Sequence, residues 1–183
     1  MHASLFHETE TAAAAIGPLA ALLDQLADLL GAATDEQYVR KPVGLVAASM
    51  GGHVRHCLDH VETVLKGAWT GVLCYDDRRR GTDVETDRHA ALAAIRRLQD
   101  DLPALASTPL DVPMRLHVLV GAEGPNLAVE TSLGRELAFA ISHTIHHNAV
   151  VSVIAKTLGL PLPERFGYAP STIAHAEGRR CAR

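Results

Sequence analysis

Two short stretches of the chain concentrate histidine: "ISHTIHHNAV" at 141–150 and "HVRHCLDH" at 53–60. If both are helical, His143 and His147 lie about 40° apart around the axis, one turn from each other. Their rings can then reach the same small volume. His146 lies about 60° from the first and about 100° from the second, worse placed to share a site with both. His53, His56 and His60 fall within about 60° of one another, so any of them could bring a third nitrogen to the 143/147 pair. Three imidazoles on a divalent ion leave positions for water or substrate, as in catalytic rather than closed structural sites. Such an ion lowers the pKa of a bound water or thiol and makes a nucleophile at neutral pH. The rings bind metal when neutral, and their second nitrogens then need acceptors such as Asp59 or backbone carbonyls. Against this stands the plainer role of a hydrogen-bonded core histidine; the i, i+4 pair and the second cluster weigh toward ligation. Thr144 follows His143, so the glutamate of an HExxH protease is missing.

Other side chains could join that chemistry. Glu136 continues the stripe of His143 and His147, where it can act as a general base or merely favour the helix dipole. Arg135 could clamp a substrate carboxylate or make a surface or interhelical pair. The run "DDRRRG" at 76–81 could hold an anion or stay solvated. Cys57 turns about 100° from His56, as small core filler or as a redox-sensitive thiol. Tyr75 and Tyr168 lie in connecting segments from which they could cover a pocket.

Four helices must position these groups. The first is expected from about Glu8 to Leu30, with leucines 19, 22, 23, 26, 29 and 30 in a stripe and Gly31 as its stop. Gly17-Pro18 either kinks it or marks its true start. The second runs from about Leu45 or Ser49 to Lys66. "GAWTGVLCYDDRRRG" reads as a long connection, and Thr82 with Glu85 forms a capping-box pattern opening the third helix. Ala91, Leu92, Ile95, Leu98 and Leu102 point inward from it, and Pro103 ends or bends it. "MRLHVLV" and "LAVETS" flank the turn "GAEGPN" as a small hairpin. The fourth helix spans about Ser132 to Leu158, apolar on nearly every side and hence central, and is stopped by Gly159 and Pro161. From about residue 160 the proline-rich tail is expected to lie extended over the bundle. The fold class is all-α: a four-helix bundle with a small β-hairpin between helices three and four, residues 1–183 forming a single domain.

Composition bounds the rest. The 183 residues are 48% hydrophobic and 21% charged, ordinary for a globular chain, and only 4% aromatic, so Ala, Leu and Val must build the core. A net charge of −4 gives no reason to expect nucleic acid. Cys57, Cys74 and Cys181 are widely spaced with no CxxC pair, which points to a reducing compartment and the cytoplasm. No run of membrane-span length is read in the chain, and no membrane partner is expected.

In this order, "MGGHVRHCLDHVETVL", "YDDRRRGTDVETDR" and "TSLGRELAFAISHTIHHNAVV" resemble the DinB/YfiT-like superfamily, across roughly residues 10 to 175. "RELAFAISHTIHH" and "FGYAPST" resemble one bacterial branch. The resemblance implies a four-helix bundle with an unusual helix order and a homodimer. It implies a divalent metal (nickel, zinc or iron in different branches) held by one histidine of the second helix and the HxxxH pair of the fourth. By position these are His56, His143 and His147, with His60 the alternative to His56. Better-characterised relatives use low-molecular-weight thiols, as mycothiol- or bacillithiol-dependent transferases and a mycothiol-dependent maleylpyruvate isomerase. The expectation is a metal-dependent enzyme, a thiol-dependent transferase or a hydrolase, acting on a small electrophilic molecule with Glu136 as its candidate catalytic carboxylate. The alternative is a non-catalytic, stress-related bundle that binds a metal or ligand.

Overall fold

A computed structural model describes residues 10–42, 44, 46–77 and 81–179. The first nine residues, the arginines of "DDRRRG" and the last four residues, Cys181 among them, lie outside the described residues.

Helix α1 (Ala13–Ala32) buries Leu19, Leu23, Leu26, Leu29 and Leu30 along one face. The expected start at Glu8 lies outside the described residues; Pro18 lies inside the helix, which runs past Gly31 to an extended Ala33. A short α2 (Asp35–Val39) follows. The capping box of the chain is here: Thr34 Oγ1 accepts from Gln37 N at 3.2 Å, and Thr34 N donates to Gln37 Oε1 at 2.9 Å. Helix α3 (Met50–Thr70) opens on Ser49, whose hydroxyl accepts from Gly52 N, and closes on left-handed Gly71 (φ 75°).

The connection after α3 is not featureless. It holds strand β1 (Val72–Cys74), then a single turn α4 (Asp83–Thr86) separated from α5 (Arg88–Asp101) at Asp87. The Thr82/Glu85 box is therefore corrected. Thr82 makes no side-chain cap, Asp87 caps α5 by accepting from His89 N, and Glu85 instead meets Arg55 at 3.2 Å. Inward positions of α5 are as expected, except that Leu92 is only half-buried. Leu102–Leu105, including Pro103, tighten into a 3-10 turn.

Strands β2 (Pro113–Leu119) and β3 (Asn126–Ser132) form the expected antiparallel hairpin, with Leu116 opposite Val129. β1 adds to β2 in parallel, with Leu73 beside Leu116. The fold is thus mostly helical with a three-stranded mixed sheet, rather than all-α.

Helix α6 (Leu133–Thr157) follows β3 directly. Ser132 caps it by accepting from Arg135 N, and Gly159 (φ 73°) lies just beyond its end. One face is buried, but Ala138, Ser142, His146 and Val153 are exposed, so α6 is not wrapped on all sides. Its low polarity reflects many small residues rather than complete burial. The tail is not wholly extended either: Pro170 opens a short α7 (Pro170–Ala176).

Helices α1 and α3 each pack between α5 and α6. The long helices α1 and α3, separated in the chain only by the short α2, therefore stand across the bundle from one another. By length and composition α1 and α6 would each pass for a membrane span, which corrects the reading that no run is long enough. Both are bundle members here, and α6 buries Glu136, Thr144, His147 and Asn148.

Candidate metal centre

The histidines meet where α3 packs on α6. Buried residues on α3 recur at Val54, Cys57, Leu58, Val61, Val64 and Leu65, and His53, His56 and His60 lie on the flank of that stripe. On α6, Leu137, Ala140, Thr144 and Val151 do the same for His143 and His147. The flanks face each other, so five imidazoles share one seam.

His56 is the hub. Its Nε2 lies 3.1 Å from His143 Nε2, and its ring is 4.5 Å from that of His60 and 4.6 Å from that of His147. Nitrogens of His56, His60 and His143 all lie within 4.8 Å of one another. Two nitrogens on one cation at about 2.0–2.1 Å stand about 3.0–3.4 Å apart, depending on geometry. The 3.1 Å pair fits that separation. His60 Nδ1 lies 2.9 Å from the His56 carbonyl, so it carries the proton and the lone pair falls on Nε2. A backbone carbonyl thus fixes this tautomer, while Asp59 takes a bond from Arg55 at 2.7 Å.

His147 is near but differently engaged. Its ring is 4.5 Å from that of His143, while its Nδ1 faces His53 Nδ1 at 3.1 Å. Burial, and then the crowding of His143, His53, His146 and His60, holds its pKa down to about 3. His53 is lowered too, by burial and then His146. Both rings are neutral at physiological pH, the form in which imidazole donates to a metal. His146 is exposed, its ring edge-on to His147 at 5.2 Å.

Glu136 is buried at the start of α6, and both its oxygens are engaged: Tyr75 donates at 2.6 Å and Thr131 at 2.7 Å. Burial and then this bond to Glu136 push the Tyr75 phenol well above its usual range. The ring of Tyr75 lies parallel to His60 at 4.8 Å, and Phe139 packs between Tyr75 (5.0 Å) and His143 (5.5 Å). Arg135 stands over Phe139, 5.4 Å from the ring centre, at the solvent edge. Tyr168 is exposed. Sequence reasoning missed Phe139 and Thr131, whereas His53 was among the residues expected to face the 143/147 pair. An aromatic four residues before His143 was the signal for Phe139.

Cys57 is filler rather than a reactive thiol. It is buried, donates to Thr144 Oγ1 at 3.4 Å, and burial pushes its pKa up to about 11. A thiol reagent applied to the native protein is expected to label half-buried Cys74 and spare Cys57 until denaturant is added. Peptide mass mapping reads this, and equal native labelling of the two would contradict it.

Comparison with known proteins agrees with this architecture. A family model described as the DinB superfamily matches residues 19–151. FK506-binding protein 5 of Rhizopus delemar is 38% identical over 105 residues, which are 57% of this chain and 27% of that protein. The chain thus spans about a quarter of that relative's length. The crystal structure of a DinB-like protein, YjoA, from Bacillus subtilis superposes with a TM-score of 0.61 over 85% of this chain and 99% of that one. At 18% identity this likeness speaks to the fold alone.

Proposed function

The chain belongs to the DinB superfamily, and from that premise we propose that it is a metal-dependent enzyme whose cation is held by His56, His60 and His143. The observation that carries the proposal is the gathering of these three imidazoles within 4.8 Å on facing helices. His147 is the alternative third ligand and would have to turn from His53 to serve. Nitrogen ligands of this kind suit nickel, zinc or ferrous iron. A cation bound there supplies Lewis acidity toward a nucleophile and a small electrophile.

A thiol is favoured over water as that nucleophile because it asks less of the chain's own residues. Both oxygens of Glu136 already accept hydrogen bonds from hydroxyl groups, so this carboxylate is poorly placed to take a proton from water, and ionising the nucleophile falls to the cation. A thiol, with a pKa of about 8.5, needs little help to ionise. Arg135, held at the solvent edge over Phe139, is placed to meet an anionic group on either reactant. The reaction supported best is transfer of a low-molecular-weight thiol to a small electrophile. Protein purified without a polyhistidine tag is expected to carry about one divalent ion per chain and to consume an activated electrophile in the presence of such a thiol. Metal without turnover would favour the non-catalytic alternative. Protein that takes up no divalent ion on reconstitution would reject the metal reading.

A further inference from the structure

Glu136 is 1% exposed, yet it is spent on two hydroxyl groups from the sheet side of the molecule. One of those hydroxyls belongs to Tyr75, whose ring plane is only 11° from that of His60. We infer that Tyr75 and Glu136 are a positioning pair that fixes the plane of the His60 ring for cation binding; this rests on the metal reading above.

The bond between His60 Nδ1 and the His56 carbonyl selects a tautomer, and the His143 ring stacks on the imidazole at 3.9 Å with 23° between the planes. The Tyr75 ring, more nearly parallel at 11°, adds to that restraint on the plane. Tyr75 can do so only if it is itself held, because it follows β1 in a connecting segment. Its hydroxyl bond to Glu136 holds it. Thr131, at the end of β3, holds the second oxygen of the same carboxylate. The chain of contacts runs from sheet to carboxylate to phenol to imidazole. A buried carboxylate costs several kcal/mol unless its oxygens are bonded, so packing alone would favour an apolar residue at this place. Outer-sphere groups that orient ligand histidines carry about ten- to a hundredfold in metal affinity.

Three variants separate the hydrogen bond from the charge. Tyr75→Phe keeps the ring and removes the hydroxyl. Glu136→Leu removes the acceptor, and Glu136→Gln keeps an acceptor oxygen without the charge. Each is titrated with Zn(II), and each is loaded with Co(II), whose visible spectrum reports ligand geometry. Thermal unfolding followed by circular dichroism confirms the fold. Tyr75→Phe and Glu136→Leu are expected to weaken Zn(II) binding by about tenfold or more and to alter the Co(II) bands. Glu136→Gln is expected to restore most of the loss. Wild-type affinity and spectrum in folded Tyr75→Phe overturn the inference, whether or not Glu136→Leu folds. Equal losses in Glu136→Gln and Glu136→Leu also overturn it, since charge rather than the tyrosine bond would then matter. A wild-type protein that binds neither ion removes the metal reading and this inference with it, a result distinct from the other two.

Discussion

Alanine in place of His143 is expected to strip the protein of its divalent ion. His143 brings its Nε2 to 3.1 Å from His56 Nε2 and lays its ring on that of His60 at 3.9 Å, so it touches both other members of the proposed set. Removing it leaves two nitrogens from a single helix. Outer-sphere substitutions alone cost about ten- to a hundredfold, so the loss of a direct ligand should exceed about a hundredfold. The fold should survive, because His143 is half-buried and its neighbours Ala140 and Thr144 keep the helix contact. Equilibrium dialysis reads the outcome. The same measurement on His60→Ala and His147→Ala identifies the third ligand: the variant that loses the ion held it. Retention of about one ion per chain by His143→Ala would place the metal elsewhere.

The largest effect on stability is expected from Gly51→Ala. A Cβ on Gly51 would stand 2.1 Å from the Glu85 carbonyl oxygen and 2.8 Å from Cε1 of Tyr38. Neither neighbour can yield cheaply. The oxygen is backbone, and Tyr38 is fully buried with its hydroxyl donating to the Val84 carbonyl at 2.6 Å. The first turn of α3 must back away from α2 and α4 together. Overpacking of this kind costs about 1–3 kcal/mol and occasionally more, and we expect the upper end of that range. For a chain of this size this lowers Tm by about 6–12 °C. Gly31→Ala is the contrast. Nothing lies within 4 Å of the added carbon, and the site is helical, so it should stabilise by about 0.5–1 kcal/mol. Urea unfolding separates the two, and equal midpoints for Gly51→Ala and wild type would refute the clash.

Long, punctuated elements were legible in the sequence, and short ones fixed by distant partners were not. The fourth helix was placed from about Ser132 and the second from about Leu45 or Ser49, and the capping hydroxyls of Ser132 and Ser49 act within their own turns. The hairpin was legible from alternation across a turn. β1 was not: three residues carry no period, and its partner β2 lies some forty positions later. Thr82 and Glu85 match the capping pattern as well as Thr34 and Gln37 do. Arg55 draws the Glu85 carboxylate away, and only packing decides that. The site divides in the same way. Helical angles put His53, His56 and His60 on one flank and His143 with His147 on the other. They cannot give the rotation of α3 against α6, which sets His60 beside His143 and turns His147 Nδ1 toward His53.

The placing of α1 and α3 across the bundle from one another has a price in chain length. An up-and-down bundle closes with tight turns, whereas here the link from α5 to α6 must traverse an end of the molecule. That detour is long enough to fold back on itself as β2 and β3, to bring Thr131 beside the seam, and to pair with β1, which Tyr75 follows. Shortening the detour to a minimal loop would leave a sound barrel of helices with no hand to steady His60.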